Sequence, residues 1–290
     1  MTFDVRTVFI MGVGFIAITA VTLLLLASSL PQELRRSART MSLATATLAV
    51  TWALFAFEDV LPDLATVLVG NLLYLLAATL VYQSVRLYDG LRPRHDVHLK
   101  FTLPAVLLVL GARYIVDAYT FRVIVMSSGV ALMLALAAWR LLRPGAPVLN
   151  VRGRRLAAVL LLCNSALFFS RVIVSLLQGE AEPILSPGPL PTLALAAALV
   201  SVLGAAFAFF LLYTGRVTAE LERQAHLDPL TNLLNRRAFS VRAGQELERS
   251  RRNSSPVSLL LIDADHFKSI NDTWGHDSGD EALLAIASAL

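Results

Sequence analysis

The chain has 290 residues, 56% of them hydrophobic and 16% charged, with a formal net charge of +4. Ordinary soluble domains carry about 25% charged residues, so a mean hydropathy of +0.66 points to a polytopic membrane protein. The basic excess does not mark a nucleic-acid binder, because the arginines fall in short loops between apolar runs. The first such run, 8–30, exceeds the roughly 7–15 residues of a signal-peptide core. It is preceded by Asp4 and Arg6 and followed by Arg35, Arg36 and Arg39, a charge order that predicts a retained helix with its N-terminus outside. The lone cysteine, Cys163, lies inside an apolar run and reads as a buried packing residue with no disulfide partner.

A membrane-spanning helix needs about 20 mostly apolar residues. Seven runs are predicted as spans: 8–30, 41–57, 64–85, 101–117, 121–142, 156–178 and 190–213. The loops around 31–40, 86–100 and 143–155 are basic. The intervening ones are acidic (Glu58, Asp59 and Asp63; Glu180 and Glu182) or, near 118–120, very short. This alternation predicts a cytoplasmic C-terminus and short outer loops, so a stimulus acts in the membrane, at its outer face or through a partner. Arg171 lies well inside the sixth run. It either marks a binding pocket, with Asn71, Asn164 and Trp52 as further candidates, or pairs with an acidic residue such as Asp117 or snorkels outward, the Asn residues then joining helices. Gly12, Gly14 and the Ala-rich stretch 194–208 are expected to permit close helix packing.

After Tyr213 the composition turns polar. Segment 214–227, TGRVTAELERQAHL, spaces Val217, Leu221 and then Ala225 or Leu227 as an amphipathic helix continuing the last span. Arg216, Glu220, Glu222 and Arg223 are assigned to its exposed side. It is either one half of a parallel helix pair in a dimer or a solvated linker. Asp228-Pro229 reads as a stop and turn, followed by a helix over about 236–251 with a basic C-terminal end and a loop at Asn253-Ser254-Ser255-Pro256. The continuous apolar run Val257–Ile262 predicts a strand buried on both faces, ending in Asp263-Ala264-Asp265. Carboxylates at that edge suit a metal or phosphate site. A helix is expected at about 266–272, a turn punctuated by Gly275 and Gly279, and a final helix from Asp280 to Leu290.

The strings DPLTNLLNRRAF (228–239) and SLLLIDADHFKSINDTWGHDSGDEAL (258–283) resemble, in that order, the N-terminal half of the GGDEF domain of diguanylate cyclases. The resemblance implies an α-helical membrane bundle followed by the N-terminal part of an α/β, nucleotidyl-cyclase-like domain. The divisions are a sensory region at 1–213, a signalling linker at 214–227 and a partial GGDEF domain at 228–290. It implies condensation of two GTP molecules to cyclic di-GMP with loss of two pyrophosphates, in a homodimer anchored in the lipid bilayer of a bacterial inner membrane. The implied cofactor is Mg²⁺ or Mn²⁺. Asp263 stands where the family holds the metal with a carboxylate, and Ala264 where a backbone carbonyl joins it. His266, Phe267 and Lys268 match positions that approach the triphosphate. Asn271 and Asp280 match those that read the guanine edge, and His276 a further nucleotide position. Arg236 and Arg237 are expected to support the fold. Asn232 replaces a frequent Gly, and its tolerance of a left-handed backbone preserves the turn. Trp274 replaces a Tyr or Phe. The GGDEF signature and the inhibitory RxxD site are expected beyond Leu290, so residues 1–290 carry one side of a GTP site. A degenerate, non-catalytic GTP-binding receptor is the alternative. A transporter-like protein is disfavoured by the short loops and the lack of visible repeats or Gly/Pro-broken spans.

Overall fold

The structure, a computed structural model, describes residues 5–62, 64–94, 96, 98–115, 118–143, 151–179, 189–224 and 226–290. It divides into two compact units, Met1–Thr218 and Ala219–Leu290.

The first unit is a helical bundle. Its helices are α1 (Val5–Ser29), α2 (Gln32–Ala56), α3 (Asn71–Tyr88), α4 (Leu103–Tyr114), α5 (Tyr119–Leu142), α6 (Val151–Gln178) and α7 (Pro189–Gln224). Short π-helical turns, Leu64–Gly70 and His98–Thr102, lead into α3 and α4. Among the described residues, five helices are long and apolar enough to cross a membrane: Val5–Ser29, Leu64–Tyr88, Tyr119–Leu142, Val151–Gln178 and Thr192–Leu221. Seven were expected, and the two that fail do so for different reasons. The run 41–57 lies in α2, where Ser42, Thr45, Thr47 and Thr51 dilute the apolar residues. Around the run 101–117 the described helix extends from His98 to Tyr114, roughly 25 Å with its π-helical turn included, short of a hydrocarbon core of about 30 Å.

Many polar groups in this bundle are satisfied locally or across helix pairs, as an apolar surround favours. Thr19 and Thr22 donate to the carbonyls of Phe15 and Ile18, one turn back. Ser42 reaches across to the Ala20 carbonyl at 2.7 Å, and Ser165 to that of Ala131 at 2.8 Å. A Cβ on Gly12 would lie 2.4 Å from the Trp52 ring, so Gly12 does allow a close approach, whereas Gly14 faces open space. Trp52 is itself buried and packs edge-on to Phe9 at 5.1 Å, which makes it a core residue rather than a pocket residue. Cys163 is exposed on α6, not buried as its surroundings in sequence suggested. Large apolar side chains such as Leu25, Val200 and Phe207 also face outward, the pattern of a bundle set in lipid.

The second unit contains α8 (Arg236–Asn253), α9 (Phe267–Trp274) and α10 (His276–Ala289). Asn235 caps α8, its Oδ1 accepting from the Ala238 N–H at 2.9 Å, and Arg251 and Arg252 close the last turn against the helix dipole. The expected α/β fold is not what the structure has. Among the described residues of this unit there is no strand, only an isolated antiparallel bridge between Leu227 and Leu234. The run 257–262 is irregular, and Leu259, Leu260 and Leu261 are 77%, 80% and 92% exposed. A buried strand needs neighbours that pair its backbone and cover both faces, and none lies beside this run among the described residues. The helix boundaries also shift. α10 begins at His276, so Gly279 is a buried helical residue rather than part of a turn.

Candidate functional site

The loop 226–235 is built around Asp228. Its Oδ1 accepts from the Leu230 and Thr231 N–H groups at 3.2 and 2.9 Å and from the Thr231 hydroxyl at 3.0 Å. These bonds hold the Asp228 carboxyl below its ordinary range, chiefly through the Thr231 backbone. The Asn232 N–H donates to the Asp228 carbonyl at 2.9 Å, and the Asn235 N–H to that of His226, also at 2.9 Å. Asn232 sits at φ 57°, the left-handed conformation that Asn accepts more readily than most residues. Arg236 and Arg237 are exposed.

Asp263 follows the irregular run, exposed, with no ion pair or hydrogen bond among the described residues. The Ala264 carbonyl beside it accepts only a long bond, 3.4 Å, from the Phe267 N–H. His266 takes a left-handed conformation, φ 57°, which turns the chain into α9 so that Phe267 and Lys268 occupy its first turn. Asn271 lies on α9 against α10. A Cβ built on Gly279 would come within 1.9 Å of Asn271 Oδ1, so the glycine is what admits the amide there. His276 opens α10, and Asp280 follows Gly279, exposed. The structure therefore brings Asn271 beside the helix that carries His276 and Asp280. It puts Asp263, Ala264, Phe267 and Lys268 on one short stretch leading into α9. Among the described residues no cluster of three or more His, Cys, Asp or Glu side chains could enclose a metal. A free carboxylate with an adjacent carbonyl does fit a hard cation that takes its other ligands from water and phosphate.

Residues 225–290 match the family described as "Diguanylate cyclase, GGDEF domain". The C-terminal segment is GGDEF-like. The chain is 34% identical over 162 residues to the probable diguanylate cyclase DgcC of Escherichia coli K12, which covers 54% of this chain and 40% of that protein. It is 48% identical over 63 residues to the diguanylate cyclase DosC of Escherichia coli K12, covering 22% of this chain and 14% of that one. DosC of Shigella flexneri is likewise 48% identical over 61 residues, 21% of this chain and 16% of that protein. The chain thus spans less than half the length of each of these relatives. The similarity to DgcC is longer than the GGDEF-like segment, so it reaches into the helices before residue 225. No solved structure matches the chain.

The membrane unit contains a second polar assembly that sequence patterning does not predict. The Tyr213 hydroxyl, on α7, lies 2.8 Å from Ser37 Oγ and 3.1 Å from Ser84 Oγ. The two serines donate to each other's carbonyls, at 2.8 and 3.0 Å. Their protons being committed, the Tyr213 hydroxyl is the donor in this trio. One turn on, Arg216 donates to the Tyr88 carbonyl at 2.7 Å and lies 5.1 Å from the Tyr88 ring centre. It is therefore packed into the bundle rather than on an exposed linker face. Arg154 donates to Asp89 at 2.6 Å and to the Leu141 and Arg140 carbonyls at 3.0 and 3.2 Å. Arg140 Nε lies 3.0 Å from the other Asp89 oxygen, close enough for charge attraction but not aligned as a hydrogen bond. The signal in the sequence was Asp89 itself, an acidic residue in a predominantly basic loop. Its partner Arg154 is 65 residues away in the chain.

Of the other pocket candidates, Asn71 donates to the Val67 carbonyl at 2.6 Å, and Asn164 is buried in the bundle beside Thr45 and Phe168. Arg171 lines a cavity at the end of the bundle opposite Asp89. Its suggested partner Asp117, like Asp4, Asp63, Glu180, Glu182 and Ala225, lies outside the described residues. The side chains of Glu222 and Arg223 are outside them too.

Proposed function

We propose that the chain is the membrane sensory region, linker and substrate-side part of a diguanylate cyclase, with divisions at 1–213, 214–227 and 228–290. The reading is carried by one observation: a GGDEF-like segment directly follows a helix, Pro189–Gln224, that contains the apolar span Thr192–Leu221. The similarity to DgcC extends into the same helical part. The protein sits in a bacterial inner membrane with its N-terminus outside, a topology supported by the basic loops around Arg35 and Arg152. It condenses two GTP molecules to cyclic di-GMP and two pyrophosphates, as a homodimer paired through the linker and membrane helices.

Asp263 holds a divalent cation, Mg²⁺ or Mn²⁺, with help from the Ala264 carbonyl. When bound, that cation neutralises phosphate charge and favours attack by a 3′-hydroxyl. The first turn of α9, where the Phe267 N–H makes only a long bond and Lys268 adds its charge, meets the triphosphate. Asn271 and Asp280 supply an amide and a carboxylate, the donor and acceptor set that a guanine edge requires. His276 contributes a further contact to the nucleotide. Signal reaches this site through α7, whose Tyr213 and Arg216 are tied to α2 and α3.

The test is Asp263→Ala in the full-length protein. Cyclic di-GMP formation falls to background while GTP binding is largely kept. An active Asp263→Ala protein would show that the carboxylate is assigned wrongly.

A further inference from the structure

The end of the membrane bundle opposite Asp89 holds a cavity of about 600 Å³, counting its open mouth. It lies where α2 and α6 end and α3 and α5 begin. Its inner wall is aromatic: Tyr74 stands edge-on to Phe168 at 5.5 Å and to Phe55 at 6.1 Å. Its polar wall sets two guanidinium groups, Arg122 and Arg171, against one carboxylate, Glu58, among the described lining residues.

Two buried polar atoms in this wall have no hydrogen-bond partner among the described residues. They are Thr66 Oγ1, on a residue 1% exposed, and Arg122 Nε. Arg171 likewise makes no ion pair or hydrogen bond among them. Buried polar groups are seldom left unpaired, and an uncompensated arginine between membrane helices is more costly still. Arg122 is already oriented, its guanidinium 5.3 Å from the Tyr119 ring centre, which leaves its edge for a planar anion. The aromatic wall then continues inward to the apolar space around Asn164, with Tyr74, Val130 and Phe168 common to both.

We propose that this cavity binds a small organic carboxylate. Its anion is held by Arg171 and Arg122, with Thr66 as a further donor, and its apolar body lies against Tyr74 and Phe168. A bidentate guanidinium suits a carboxylate in shape as well as charge. The site is independent of the cyclase reading, since all its residues belong to the first unit.

The experiment is calorimetric titration of the full chain in lipid nanodiscs with benzoate, its neutral isostere benzamide, and inorganic phosphate. Benzoate binds saturably, and benzamide and phosphate bind at least 10-fold more weakly. Arg171→Gln weakens benzoate by roughly 10- to 100-fold, the range for a charged hydrogen-bonded contact, and Thr66→Val by a few-fold. Thermal unfolding of each variant without ligand is read alongside. If Arg171→Gln does not fold, Arg122→Gln decides: lost benzoate binding supports the site and retained binding overturns it. The proposal is also overturned if the native chain shows no saturable benzoate binding or does not distinguish benzoate from benzamide. Phosphate binding more tightly than benzoate, or a folded Arg171→Gln protein binding benzoate as the native chain does, would overturn it as well.

Discussion

Gly279→Ala separates helix stability from substrate recognition within a single substitution. The new Cβ would stand 1.9 Å from Asn271 Oδ1, against an ordinary contact of 3.4 Å or more, so the amide must retreat by about 1.5 Å. The obstacle is a side-chain terminus, and α10 itself gains from the change. Alanine in a helix interior is favoured over glycine by about 1 kcal/mol. Thermal stability is therefore expected to stay level or rise. If Asn271 reads guanine, its displacement removes hydrogen bonds from a buried edge, at about 1–3 kcal/mol, or roughly 5- to 150-fold in affinity. GTP binding by the full-length protein, measured calorimetrically beside a melting curve, checks both. An unchanged GTP affinity in a Gly279→Ala protein of normal stability would refute the role given to Asn271.

Three further outcomes follow from the membrane unit. Asp89→Ala strands Arg154, whose side chain is only 6% exposed, so the bundle should lose about 3–5 kcal/mol, read from thermal unfolding in detergent micelles. Tyr213→Phe removes the donor of the serine trio and should cost about 1–2 kcal/mol by the same assay, with no change in helix content by circular dichroism. Asp96 is held by Arg94, and its carboxyl is drawn down to about 2. A depressed carboxyl adds stability above its unfolded value, near 3.9, and loses it as pH falls toward the folded value. Asp96→Asn should therefore flatten the change in unfolding temperature between about pH 4 and pH 2, with a lowered unfolding temperature above that window and little effect below it.

Among the described residues, hydropathy alone located the five helices long and apolar enough to cross a membrane, because apolar length is a property of each segment by itself. It overcounted where length or purity failed. α4 is too short, and Ser42, Thr45, Thr47 and Thr51 dilute the apolar residues of α2. The run Val257–Ile262 shows the limit of periodicity. Continuous apolar character specifies a strand only where neighbours pair its backbone, and here the leucines are exposed. The turn at Asp228 was legible from its Asx and Pro residues, since its hydrogen bonds close within a few residues. The Asp89–Arg154 pair and the Tyr213 trio were not, because each depends on helices brought together from distant parts of the chain. Of the residues proposed to face GTP, the motif named Asn271 and Asp280, but the contact between Asn271 and Gly279 became visible only with α9 and α10 packed together.

The central claim is that the full-length protein makes cyclic di-GMP from GTP. The most direct measurement is turnover by the purified protein in nanodiscs with GTP and Mg²⁺, following nucleotide by mass spectrometry and pyrophosphate in parallel. The account predicts cyclic di-GMP with two pyrophosphates released per molecule of product, and loss of both on chelation of the metal. Saturable GTP binding with neither product formed would contradict it and leave a GTP-binding receptor in its place.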